Sequence, residues 1–168
     1  MDALKIALKT EDSYNPLILR LALGIVMFPH GAQKVFGWFG GHGFEGTMGF
    51  FTQQMGLPAV IAMMVIAGEF LGSLGLITGF LTRLSSFGIA AIMGGAVATV
   101  HASNGFFMNW SGKQAGEGFE FHILVLGMAI VLMIAGGGKF SVDQWISKFL
   151  SKKRNLNPAA GNQAVSTQ

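Results

Sequence analysis

The sequence contains no cysteine, and charged residues make up only 11% of its 168 residues. Without thiols, this chain cannot supply disulfide exchange, thiolate-ligated iron–sulfur clusters, zinc–thiolate sites or covalent c-type haem attachment. Soluble domains average about 25% charged residues. The low charge, together with 51% hydrophobic residues, indicates a chain that spends most of its length in lipid. Any redox chemistry would need a bound cofactor or a partner subunit.

Long apolar stretches account for most of the chain, at residues 16–36, 57–80, 82–103 and 119–138. Each has about the 17–25 residues that a helix needs to cross a bilayer. Two shorter segments, 44–51 and 139–150, repeat apolar residues at helical spacing, which is typical of interfacial helices. The sequence predicts an all-α fold: an integral membrane four-helix bundle with short interfacial helices.

Basic residues predict the domain limits and the topology. They lie before the first stretch, at Arg83 between the second and third, and after the fourth. The positive-inside rule then places both termini in the cytoplasm and the loops 37–56 and 104–118 outside. We expect a cytoplasmic N-terminal arm over 1–15, a membrane domain over 16–145, and a basic, partly disordered cytoplasmic tail over 146–168. Anchoring at the bilayer surface explains the basic tail, so no nucleic-acid partner is expected.

Ionisable side chains within the apolar stretches are costly in lipid and usually face a protein interior or a wet cavity. Glu69 lies about 18 Å along its stretch, near the middle of a hydrocarbon core of about 30 Å. Glu120 and His122 project about 200° apart on a helix, so only one can face the interior, and the sequence leaves open which. We predict a ligand-binding set consisting of Glu69, His30, Lys34, His101, Arg20 and Glu120.

The partners of these groups are also left open. Glu69 could pair with Arg20 or join an outer group of His30 and His101. Arg20 and Lys34 each have a purely structural alternative, as an interhelix anchor and an interfacial anchor respectively. No metal site and no catalytic residue is predicted.

Small residues form stripes on two of the predicted helices. Gly68, Gly72, Gly75 and Gly79 fall within about 60° of one another, which predicts a close helix–helix contact. A similar stripe on the third stretch consists of Ala90, Gly94, Ala98 and His101.

Several motifs together resemble the DoxX family. Residues 19–37 contain Leu-Arg-Leu-Ala-Leu-Gly and Phe-Pro-His-Gly-Ala-Gln-Lys-Val-Phe-Gly, similar to the first span of that family. Gly-Glu-Phe-Leu-Gly follows at 68–72, Asn-Gly-Phe-Phe at 104–107, Gly-Phe-Glu-Phe at 118–121, and Gly-Gly-Gly-Lys-Phe-Ser-Val-Asp at 136–143. The resemblance covers roughly residues 16–145 and implies a four-span, multi-pass protein of the bacterial inner membrane. Through the family it also implies links to thiosulfate:quinone oxidoreductase subunits and to membrane complexes that protect against oxidative stress.

The favoured function is a redox-associated membrane subunit that binds a quinone-like or other small ligand in the outer half of the bundle. Glu69 would act as proton acceptor or hydrogen-bond partner, His30 and His101 would bind the polar head, and Lys34 would attract an anion. The alternatives are a non-catalytic adaptor or assembly subunit, and a small-molecule or proton pathway. Whether the chain is an enzyme stays open. A haem between His30 and either His101 or His122 is a less favoured cofactor than a quinone. The expected partners are the lipid bilayer, a membrane or soluble redox protein, and a second copy of the chain.

Overall fold

The computed structural model describes residues 8–156, with side chains through residue 152. The beginning of the predicted N-terminal arm and the predicted disordered tail from residue 157 onward lie outside this range. Within it the fold is all-helical, as predicted, and has no strand. The helices are α1 (Tyr14–Phe36), α2 (Gly43–Gly49), α3 (Ala59–Thr78), α4 (Thr82–Ala96), α5 (Glu120–Ala135) and α6 (Val142–Leu156). Single π-helical turns extend α2 over Phe50–Gln54 and α4 over Val97–His101.

The long helices α1, α3, α4 and α5 pack side by side and alternate in direction. Helix α1 lies along α3, α3 along α4, and α4 along α5, which returns to α1. Their shared core contains Leu23, Met27, Leu76, Ile89, Val125, Ala129 and Leu132. We name the two ends of this assembly after the basic residues of α1, so the Arg20 end holds both chain termini of the described range and the Lys34 end holds α2.

The outer surfaces of the long helices are apolar. Each helix exposes large aliphatic or aromatic side chains, among them Ile25, Leu71, Phe87 and Leu124. Two segments, Ala59–Thr78 and Thr82–Asn104, are long and apolar enough to cross a membrane, while Glu120–Ala135 is apolar but shorter. Exposed apolar surface of this extent suits lipid rather than water.

Glycines let α3 approach its neighbours closely. A Cβ added at Gly68 or Gly72 would crowd Ile92 or Ile89 of α4, so the predicted contact of this stripe is confirmed. The corresponding prediction for α4 is wrong at Gly94, which is exposed and would have nothing within 4 Å of an added Cβ, whereas Ala90 of the same stripe packs against the core. Helix α4 instead packs through its larger residues, such as Ile89. On α1, Gly31 lies against the backbone of α3, where a Cβ would clash with Phe70.

Arg20 caps the C-terminus of α3 by donating hydrogen bonds to carbonyl groups of its last turn. Its Nη1 donates to the carbonyl oxygens of Leu76 at 3.1 Å and Ile77 at 2.5 Å. Its Nε donates to Gly137 at 2.9 Å, and Nη2 to Phe140 at 3.1 Å. The buried guanidinium therefore joins α3 to the segment that precedes α6.

The remaining helix ends at the Arg20 end are capped by side chains in the same way. Arg83 donates to the carbonyl oxygens of Met133 and Ile134 in the last turn of α5, at 2.6 and 2.7 Å. The buried carboxylate of Asp143 accepts the backbone N–H groups of Leu81 at 2.7 Å and Thr82 at 2.8 Å, at the start of α4. Ser141 accepts the N–H of Gln144 at 3.1 Å and so caps the N-terminus of α6. The polar residues of the Ser-Val-Asp motif at 141–143 therefore stabilise helix ends.

Candidate ligand-binding site

The carboxylate of Glu69 pairs with Lys34. Lys34 Nζ lies 2.6 Å from Glu69 Oε2, and the two side chains are 23% and 5% exposed. The ammonium also donates to the carbonyl oxygen of His30 at 3.4 Å. Gly31, three residues before Lys34, allows α1 to reach the backbone of α3 at this level. Of the two cations on the inner face of α1, the structure therefore joins Lys34 to Glu69 and places Arg20 elsewhere.

Two histidine rings meet at the same end of the assembly. His101, which ends the π-helical turn after α4, and His122 of α5 have ring centroids 4.2 Å apart. His101 Nδ1 lies 2.8 Å from the carbonyl oxygen of Glu117. Since a carbonyl can only accept, Nδ1 carries the proton, and a neutral ring then bears its lone pair on Nε2. His122 is 6% exposed, and among the described residues its Nδ1 has no hydrogen-bond partner.

His30 links the ion pair to the histidine pair. Its ring centroid lies 6.5 Å from that of Phe121. The ring of Phe121 in turn has its centroid 6.0 Å from that of His122. These five side chains, from α1, α3, α4 and α5, form what we call the polar cluster: His30, Lys34, Glu69, His101 and His122.

Two members of the predicted ligand-binding set make their contacts outside this cluster. Arg20 lies at the opposite end of the assembly, within the helix caps. Glu120 turns toward the loop before α5, where Oε1 accepts the N–H of Met108 at 2.8 Å and Nε1–H of Trp110 at 3.0 Å. His122, rather than Glu120, faces the interior. This decides the alternative that helical spacing alone left open.

A cleft of about 270 Å³ opens at the Lys34 end, between α1 and α2. It is lined by Gln33, Lys34, Gly40, Gly41, His42, Thr47, Phe50 and Phe51. Thr47 is only 7% exposed. The sequence analysis did not select Thr47. Its only signal was its position between Phe44 and Phe51, on one face of a predicted short helix.

The described residues offer no ready metal site. Between residues 8 and 156, no three histidine, aspartate or glutamate side chains are placed to hold a metal ion together. The polar cluster combines a carboxylate, an ammonium and imidazole nitrogens. These groups can donate and accept hydrogen bonds and exchange protons.

An all-helical chain with a lipid-facing exterior and polar groups inside belongs to the class of helical membrane proteins. The model of the DoxX family matches residues 15–102, and the chain belongs to this family of membrane proteins. The "Putative oxidoreductase CatD" of Bacillus subtilis is 31% identical over 144 residues, covering 86% of this chain and 93% of CatD. The "Inner membrane protein YqjF" of Escherichia coli is 26% identical over 141 residues, covering 84% of this chain and 98% of YqjF. No solved structure shows significant similarity to the chain.

Proposed function

We propose that the protein is a four-span subunit of the bacterial inner membrane that binds a quinone-like or other small redox ligand at the polar cluster. The alternating directions and apolar exteriors of α1, α3, α4 and α5 support four membrane crossings. The caps at the Arg20 end lie beside the basic residues of the chain, so the positive-inside rule makes this end cytoplasmic. The Lys34 end then faces outward. The name of the relative CatD supports a redox association.

The observation that carries this proposal is the part-buried Lys34–Glu69 pair at the same end of the bundle as a buried histidine with an unused ring nitrogen. A quinone carbonyl can accept a hydrogen bond from the ammonium of Lys34. A quinol hydroxyl can donate to Nε2 of His101. Glu69 can accept a proton or hold Lys34 in place, and His30 borders the same space. Arg20 and Glu120 would support the surrounding structure instead of binding the ligand.

The test is ligand binding by the purified protein in lipid nanodiscs, using decylubiquinone as the probe. We expect Glu69→Gln to weaken binding by about tenfold or more, because it removes a charge-assisted hydrogen-bonding network. Glu45→Gln is the matched control, since it removes the same charge from an exposed position in the first turn of α2. An absorption spectrum and a lipid extract of the same sample would reveal bound haem or quinone. Equal binding by the Glu69 and Glu45 variants would contradict the proposed site.

A second candidate, a membrane adaptor, is favoured by the exposed face of α6. Trp145 and Phe149 are both exposed there, and their rings stack with centroids 6.3 Å apart. Lys148 and Lys152 are exposed on the same helix. If decylubiquinone does not bind, and if Trp145→Ala with Phe149→Ala releases a copurifying redox protein, the adaptor function would replace the ligand-binding one.

A further inference from the structure

Helix α6 leaves the assembly at the Arg20 end with its apolar side uncovered. Its start is fixed, because the N–H of Asp143 donates to the carbonyl oxygen of Gly79, between α3 and α4, at 3.0 Å. Beyond this first turn, Trp145 and Phe149 lie on one side of the helix and are 71% and 60% exposed. Among the described residues, no other helix packs along α6. An exposed apolar face of this kind marks a contact with something outside the chain.

Two further aromatic side chains extend this surface at the same end. Tyr14, which begins α1, and Phe140, which precedes α6, are both exposed, and their ring centroids lie 6.4 Å apart. The ammonium of Lys139 lies 4.2 Å from the centre of the Tyr14 ring. Exposed aromatic rings with lysine side chains beside them are typical of the headgroup level of a bilayer.

The backbone at Phe140 indicates that its side chain serves a contact outside the fold. Its φ is +56°, a left-handed conformation that glycine or asparagine adopts more readily than a bulky residue. The conformation itself has a structural reason, because the carbonyl oxygen of Phe140 accepts a hydrogen bond from Arg20 Nη2 at 3.1 Å. The ring, however, is 75% exposed, so packing does not explain a phenylalanine at this position. Contact with lipid would explain it.

The charges beside this surface are mainly positive. Lys148 and Lys152, one turn apart on α6, are exposed and form no salt bridge with another described side chain. The next two residues in the sequence are also basic. The acidic residue of α6, Asp143, is buried as the cap of α4. Asp12, which is exposed, accepts a hydrogen bond from Gln144 in the first turn of α6 at 3.0 Å. Beyond that first turn, α6 therefore presents lysines next to an apolar face, which complements an anionic membrane surface.

We propose that the apolar face of α6, together with Tyr14 and Phe140, docks on the anionic phospholipid headgroups of the bilayer that the chain crosses. The aromatic rings of α6 enter the boundary between headgroups and acyl chains, and Lys148 and Lys152 bind the phosphate oxygens beside them. Each lysine should favour an anionic surface by about fivefold. This surface lies apart from the polar cluster, and it rests on the proposed function only in that the long helices cross a membrane.

The experiment uses the full-length protein in lipid nanodiscs, with Trp145 as a fluorescent reporter. The other tryptophans, Trp38 and Trp110, lie at the Lys34 end and are replaced by phenylalanine. The nanodiscs contain phosphatidylcholine alone or an equal mixture with phosphatidylglycerol, and a second set carries brominated acyl chains. We expect brominated lipid to quench Trp145, and the protection of Trp145 from iodide to rise about fivefold or more when phosphatidylglycerol is present.

The lysines are tested by combining Lys148→Gln with Lys152→Gln. This double variant keeps the apolar contacts and should lose most of the preference for phosphatidylglycerol. Lys113→Gln, which removes a lysine from an exposed loop at the opposite end, is the control and should keep the preference. Salt at 1 M, where the Debye length falls to about 3 Å, should act on the unsubstituted lysines as the double variant does.

Phe140→Asn separates lipid contact from packing. Asparagine suits the left-handed backbone, so the melting temperature should not fall. Quenching of Trp145 by brominated lipid should weaken, because the ring that precedes α6 no longer enters the bilayer. A lower melting temperature with unchanged quenching would mean that the ring serves the fold, and would remove Phe140 from the docking surface.

Two results would overturn the inference as a whole. One is free quenching of Trp145 by iodide in both kinds of nanodisc, which would leave a protein partner as the occupant of this face. The other is equal protection of Trp145 with and without phosphatidylglycerol. The proposed function is judged separately, by decylubiquinone binding in the same nanodiscs, because none of these substitutions touches the polar cluster. If the quinone binds while Trp145 stays unprotected, the proposed function stands and this inference fails.

Discussion

Removing one partner of the Lys34–Glu69 pair should destabilise the protein by an amount that depends on which partner is lost. Lys34→Met leaves the Glu69 carboxylate without its cation at 5% exposure. Breaking a buried pair in this way typically costs about 3–5 kcal/mol, and we expect about 3 kcal/mol here. Glu69→Gln leaves the Lys34 side chain without its partner, but this side chain is 23% exposed, so water can solvate its charge. For that variant we expect about 1 kcal/mol, close to the net value of one hydrogen bond.

The double variant, Lys34→Met combined with Glu69→Gln, distinguishes this explanation from a simple loss of packing. Both side chains are then neutral and no charge is left unpaired, so the double substitution should cost less than Lys34→Met alone. The coupling energy should be about 2 kcal/mol. Thermal unfolding in detergent should show Lys34→Met melting roughly 6–12 °C below the wild-type protein, at about 2–4 °C per kcal/mol. Lys113→Met, in an exposed loop, is the control and should not change the melting temperature. Additive effects of the two single substitutions would refute the coupling.

Three further predictions concern the packing, the caps and the topology. Gly72→Leu should lower the melting temperature because a side chain would push α3 away from α4. Gly94→Leu, at a position with open space around it, should not lower it. Equal effects of the two substitutions would mean that the stripe on α3 makes no contact. Asp143→Ala removes two hydrogen bonds to the N-terminus of α4 and should cost about 1–2 kcal/mol in chemical denaturation, and no measurable loss would contradict the cap. Reporter fusions at Gln168 and within residues 112–118 should report opposite compartments. An external C-terminus would contradict the assignment of the Lys34 end to the outer side of the membrane.

The helices could be predicted because apolar run length and local end signals define them. The first predicted stretch, 16–36, differs from α1 by only two residues at its start. The fourth, predicted to reach residue 138, ends at Ala135, because Gly136 takes a positive φ of 78° and leaves the helix. The resemblance to the DoxX family identified, in addition, where the motifs of that family lie in the sequence. The long-range role of the 136–143 motif, in which Asp143 caps α4, could not be predicted from the spacing of the residues.

The pairing within the polar cluster could be predicted only in part. Helical periodicity placed Arg20 and Lys34 on one face of α1, and either cation was a candidate partner for Glu69. The decision came from depth, because Arg20 lies level with the last carbonyl groups of α3, seven to eight residues beyond Glu69 and so about 10–12 Å away along the axis. Counting residues from each helix end would have indicated that Arg20 lies level with the C-terminus of α3 and not with Glu69. Thr47 could not be identified in this way, because its position depends on how the loop folds α2 back over α1.

The charged groups at the Arg20 end have a complete structural explanation. The donors of Arg20 and Arg83 and the carboxylate of Asp143 are hydrogen-bonded to helix termini. Burial of these three charges therefore requires no ligand. Two buried hydroxyls of α4, those of Thr82 and Ser86, lack a partner among residues 8–156, but neither group carries a charge or titrates near neutral pH.

At the Lys34 end, by contrast, a buried group left with unused hydrogen-bonding capacity is ionisable. His122 is buried with an unpaired ring nitrogen in the described part of the chain, and Lys34, paired with Glu69, lines a cleft. An unpaired polar atom in a buried position lowers stability unless another molecule satisfies it. An imidazole and an ammonium can, in addition, exchange protons with such a molecule. A bound ligand should therefore stabilise the protein most at the Lys34 end, and substitutions there should separate ligand binding from folding.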